Sequence, residues 1–228
     1  MNPYYQRLRR FLFQEWMPIT KGLLLLAGIF FILGLIVPVV NQLLALSVAT
    51  FPLFLWSIVT YPLVNRDLLG LLFAVLWLWM IGGTLERSWG GFRYLTFLIA
   101  NTAVTGLVMI GVERWLAGAF APEISGLWLL TIGLTWAWAE LNPRQELLFW
   151  GIIPIQARWL AWINAALIFF SYYQYHWLLG LGALVGIPLV YLFRRGGGYR
   201  GGGRKLDPQQ WMEERKRQNR KKRFRVIH

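Results

Sequence analysis

The chain is written in long apolar runs separated by short charged stretches, without the strict alternation of a half-buried strand. Gly22 to Val40 is uncharged and apolar. It is as long as crossing ~30 Å of hydrocarbon at ~1.5 Å per residue demands. Five further runs have the same character: Leu68 to Leu85, Tyr94 to Val112, Ile124 to Leu141, Trp159 to Tyr173 and Trp177 to Phe193. The pattern predicts an all-α polytopic membrane protein with six transmembrane helices. Asn41 to Tyr61 is apolar too, but Pro52 interrupts it and no charge bounds it. It reads as a loop at the interface or partly in the membrane, with a seventh span as the alternative. The first span is too long for the apolar core of a cleavable signal, and no small-residue cleavage site follows it.

Composition agrees with the pattern. Of 228 residues, 57% are hydrophobic and 14% charged, with a mean hydropathy of +0.48. A water-soluble domain so composed would expose too much apolar surface. Several of the fourteen tryptophans stand near span ends, among them Trp16, Trp56, Trp115, Trp159 and Trp177, as suits interfacial belts. The chain has no cysteine, which excludes disulfides and thiolate chemistry. Its two histidines, His176 and His228, belong to no cluster with metal-ligand spacing, and no glycine-rich phosphate loop follows a strand. Nothing in the sequence assigns a cofactor.

Charge sets the orientation. With six spans, one side holds 21 of the 23 basic residues, including Arg7, Arg87, Arg93, Arg144, Arg158 and the tail; the other holds Arg66 and Arg114. The positive-inside bias then puts both termini in the cytoplasm, and a seventh span would break the asymmetry. Three regions follow: a cytoplasmic segment 1–21, a transmembrane domain 22–193, and a tail 194–228. The tail opens with the glycine linker "RRGGGYRGGG" and carries thirteen basic and three acidic residues. It reads as a polybasic segment touching anionic lipid, with RNA or an acidic protein face as the sharper alternative.

The stretch "WSIVTYPLVNRDLLGLLFAVLWLWMIGGTLERSWGGFRYL" resembles the rhomboid family of intramembrane serine proteases. Trp56, Thr60, Tyr61, Asp67, Leu85, Glu86, Gly90 and Arg93 hold the family pattern, and "ELNPRQELLFWGIIPIQARWLAW" is similar to the family's cytoplasmic loop between the fourth and fifth helices. The similarity covers about residues 22 to 193. It implies a six-helix bundle and a mechanism resting on four positions: a serine on the fourth helix, a histidine base on the sixth, and a histidine and an asparagine on the second for the oxyanion. A hydroxyl needs a base, and developing charge needs preorganised donors.

Placed by register, the oxyanion positions fall on Gly70 and Ala74, the serine on Trp128 (counting back from Pro143 through Gly133 and Gly126), and the base on Leu179, ahead of Gly182 and Gly186. None supplies the side chain the chemistry needs. The resemblance therefore implies a rhomboid-like pseudoprotease; inactive members such as derlins and iRhoms bind transmembrane segments of client proteins. Trp128 and Leu179 are expected to pack in one apolar cluster.

Two other readings stand beside it. One is an active intramembrane serine protease using a displaced dyad, Ser125 and His176, each one turn outward of the family position; against it, Glu123 replaces the first glycine of the serine motif. The other is a structural membrane factor acting through its basic tail. The plainer readings are Ser125 as a helix cap, His176 as an interfacial loop residue, Glu86 at the cytoplasmic interface, Glu140 paired with Arg144 at i+4, and Gly182-x-x-x-Gly186 as a close helix contact inside the bundle.

Overall fold

The computed structural model describes residues 17–116, 123–143, 145–149 and 153–196. The N-terminal arginines, Arg144, residues 117–122 and the tail from Gly197 lie outside the described residues.

Helix α1 runs Pro18–Ile36, and proline at its first position suits a site whose N–H is not needed. It ends where Pro38 bars continuation, four residues before the end the hydropathy suggests, and α2 (Pro38–Leu44) follows after Val37. The apolar stretch beyond is no seventh span. It folds into turns, a one-turn helix α3 (Ser57–Thr60) and a 3₁₀ turn (Tyr61–Leu63). Helix α4 (Leu68–Trp89) starts at Asp67, whose carboxylate accepts the Gly70 amide as an N-cap. Gly90, at φ 81°, is the single residue between α4 and α5 (Gly91–Trp115). A left-handed backbone at this reversal favours glycine.

Helix α6 is Trp128–Leu141. A two-stranded antiparallel hairpin follows, β1 (Glu146–Phe149) on β2 (Ile153–Gln156), an addition to the all-helical reading. Helix α7 is Ala157–Tyr173. The last apolar run is broken in two, α8 (Trp177–Ala183) and α9 (Gly186–Gly196).

Among the described residues four segments are long and apolar enough to cross a membrane: Pro18–Ile36, Leu68–Trp89, Gly91–Trp115 and Trp177–Arg194. At 14 residues, α6 is shorter, and its position explains how so short a helix serves. It packs against α4, α5, α7 and α9, and nearly every residue from Leu129 to Ala139 is buried. It meets protein all round, so lipid thickness does not dictate its length. The large exposed side chains of α1, α4 and α7, such as Leu25, Leu76 and Leu167, point away from the bundle.

Glu86 lies deeper than the interfacial position its sequence context suggests. It is buried, and its carboxylate closes the N-terminus of α1, accepting the amides of Ile19 at 2.9 Å and Thr20 at 2.8 Å and the Thr20 hydroxyl at 2.7 Å. An anion there meets the positive end of the helix dipole.

Candidate functional site

Two apolar cores meet around α6. In the first, Leu71, Ala74 and Leu78 of α4 lie with Leu127, Leu130 and Leu134 of the α6 segment. Ala74 is fully buried in this layer. Gly70 sits in the first turn of α4, where Asp67 Oδ2 occupies the place a Cβ would take. Hence the two positions on α4 offer no side-chain donor, and aliphatic carbon fills the space beside Ala74.

In the second core, Leu179 of α8 is fully buried with Leu129, Ile132, Ala165 and Ile168. Trp128 is not part of it: the ring is 36% exposed. This corrects the expected pairing of Trp128 with Leu179. Leu129 and Ile132, three residues apart, share the side of α6 that enters this core, whereas Trp128 is rotated by roughly 100° from Leu129. Gly182 lies close to Met109, and Gly186 to Asn101 and Ile132, so this glycine pair does serve close packing within the bundle.

Ser125 stands in a shaped turn above α6. An antiparallel bridge joins Leu46 and Ile124 just before it. Gly126, at φ 99°, donates its amide to Tyr61 O at 3.1 Å, and Leu127 N donates to Asn65 Oδ1 at 3.2 Å. Asn65 is buried and also donates to Pro62 O and Leu63 O. Sequence reading missed Asn65 as the residue that holds this turn. Nor is Ser125 a cap, since no side chain caps α6. Among the described residues its hydroxyl makes no hydrogen bond.

His176 is no free loop residue. It is the N-cap of α8, its Nδ1 accepting the Leu178 amide at 3.2 Å, with its ring 6.0 Å from that of Trp177. Among the described residues no hydrogen bond joins it to Ser125. Beside this turn a cavity of about 260 Å³ is lined by Asn41, Asn65, Arg66 and Glu123, the last two ion-paired.

A buried polar strut crosses the middle of the bundle. Trp77 Nε1 donates to Thr135 Oγ1 at 2.7 Å, and Asn164 Nδ2 donates to the same oxygen at 3.1 Å, tying α4, α6 and α7 together. Asn101 lies against the backbones of Gly133 and Gly186, with Nδ2 donating to Leu130 O at 3.3 Å. Asn101 Oδ1, Thr105 Oγ1 and Glu113 Oε2, all on α5, are buried and without a partner among the described residues. Asparagines inside apolar runs ("LIANTAV", "WINAAL") were the available signal, because a polar group at that depth is costly unless it is bonded.

At the other end of α6, Glu140 Oε2 pairs with Arg194 Nη1 at 3.1 Å and Oε1 accepts from Tyr191 at 3.0 Å. Among the described residues its partners come from α9; Arg144, the i+4 candidate, lies outside them.

A family model described as eukaryotic integral membrane protein (DUF1751) matches residues 21–195. A rhomboid protease GlpG homolog of Cronobacter sakazakii is 35% identical over 108 residues, which are 47% of this chain and 38% of that protein. The rhomboid protease GlpG of Salmonella choleraesuis is 25% identical over 118 residues, 49% of this chain and 41% of that protein. The chain spans about two fifths of the length of these curated relatives.

Proposed function

The chain belongs to the eukaryotic integral membrane protein family DUF1751, within the rhomboid superfamily, and from that premise we propose a multi-pass membrane protein that binds transmembrane segments without cleaving them. It crosses the bilayer six times with both termini in the cytoplasm. The observation that carries this reading is Leu179: fully buried among aliphatic side chains at the position assigned to the base. Support also comes from Gly70 and Ala74, which leave a developing oxyanion without side-chain donors. Loss of one such donor alone slows acyl transfer by about 10²–10³. Ser125 keeps a hydroxyl but bonds no base among the described residues, and His176 Nδ1 is already taken by Leu178 N.

The client site is the lipid side of the bundle between α4 and α7. Each packs on α6, but no extensive packing joins them to one another. Exposed Leu72 and Leu76 on α4 and Ile163 and Leu167 on α7 give that opening apolar walls. The basic tail adds attachment to an anionic surface.

Two measurements test the reading. The full chain should not label with a fluorophosphonate, which needs a base-activated hydroxyl. Photoreactive residues at 76 and 167 should crosslink to apolar transmembrane segments, whereas one at 35, on α1, should not. Labelling that Ser125→Ala abolishes would overturn the proposal, as would equal crosslinking from all three positions.

A further inference from the structure

We propose that the cleft between the end of α6 and the start of α7 is a binding site for one anionic phospholipid, with the phosphate on Arg158 and an acyl chain on the outer face of α7. The cleft has a volume of about 230 Å³ and is lined by Trp136, Ala139, Glu140, Arg158, Ala161 and Trp162, among others. It holds one acid and one base, yet they are not partners. The Glu140 carboxylate is spent on Arg194 and Tyr191, and Trp136 Nε1 donates to the same Tyr191 hydroxyl at 3.0 Å. Among the described residues Arg158 has no hydrogen bond or ion pair. The cleft therefore carries an uncompensated cation on a wall whose acid is already neutralised.

The rest of the wall is suited to lipid. Trp136 and Trp162 meet edge to face at 5.0 Å, forming an aromatic surface of the kind found at headgroup depth. From Arg158 the i+4 ridge of α7 runs through Trp162 and Ala166 to Phe170, all exposed. Ala166 makes a notch between two aromatic rings, on the ridge that leads along α7 away from the cation. A guanidinium fork bonds a phosphate bidentately, and a basic pocket between helices at the cytoplasmic face suits anionic headgroups. Because the cleft lies at the opposite end of α6 from Ser125, the site does not depend on whether the chain hydrolyses peptides. The proposed orientation decides only which leaflet supplies the lipid.

The test is native mass spectrometry of the full chain, released from nanodiscs with equal phosphatidylglycerol and phosphatidylcholine of matched acyl chains. One tightly held phosphatidylglycerol is expected, preferred about tenfold over phosphatidylcholine, as a charge-assisted bidentate contact gives. Arg158→Gln should abolish that preference and Arg158→Lys should keep part of it. Changing the seven Lys and Arg between 215 and 223 to Gln should leave it intact, which separates the cleft from the tail. A headgroup-photoreactive phosphatidylglycerol on the unmodified chain should crosslink within 158–162, a readout that needs no variant. Equal retention of the two lipids, an unchanged preference in Arg158→Gln, or crosslinks confined to the tail would each overturn the proposal.

Discussion

The Glu86 carboxylate of α4 holds the Thr20 amide at 2.8 Å and the Thr20 hydroxyl at 2.7 Å, so a charge on one membrane helix closes the buried N-terminal end of another. Without it, orphan amides at the start of α1 would be buried without partners. Glu86→Ala should therefore cost about 2 kcal/mol or more. That corresponds to a fall of roughly 5 °C in the melting temperature of the detergent-solubilised chain. Glu86→Gln should lie between, because its one acceptor oxygen still serves one amide. Equal melting of Glu86→Ala and the parent chain would contradict this role.

Asn101 and Gly133 are fitted to each other. Every one of the three nearest atoms to a Cβ on Gly133 belongs to the Asn101 side chain. Gly133→Ala should thus destabilise the bundle, and Asn101→Ala in the same chain should recover part of the loss. A double-mutant cycle reads the coupling, expected at about 0.5–3 kcal/mol for residues in contact. Strict additivity would show that the contact carries no energy.

Leu179→His should not create a hydrolase. The imidazole would enter a layer of Leu129, Ile132, Ala165 and Ile168 without a hydrogen-bond partner at hand. Burying such a polar group costs about 1–3 kcal/mol, so lower thermal stability with no fluorophosphonate labelling is the expected pair of results. Labelling by this single variant would mean that Ser125 lies closer to position 179 in action than the packing implies.

The chain contains no cysteine, so single cysteines report topology directly. With the proposed orientation, Gly118→Cys, between α5 and α6, should react with impermeant reagent from outside, and Gln209→Cys, in the tail, only from inside. The reverse pattern would invert the orientation.

A peptide spanning Arg204 to His228 should bind vesicles containing acidic lipid and release them steeply as salt rises, since each contact frees counterions. Binding indifferent to salt would remove the electrostatic account of the tail.

Along the chain, hydropathy and punctuation determined where helices form. A run of apolar residues must satisfy its backbone internally once water is gone, and that is a property of the run alone. That Gly70, Ala74 and Leu179 carry neither a side-chain donor nor a base is likewise legible from residue identity, whereas the break at Pro38 falls inside a run that hydropathy alone carries on to Val40. What a side chain meets is not local. The sequence could not say that Glu86 seals α1, that Glu140 turns to Arg194, or that His176 caps α8, because those partners are 66, 54 and 2 residues away and only packing selects among them. Nor could it say that Leu129 and Ile132, with Trp128 turned aside, share a core with Leu179. That choice rests on the rotation of α6 about its own axis, which the neighbouring helices impose and hydropathy around a helix buried on every side leaves open.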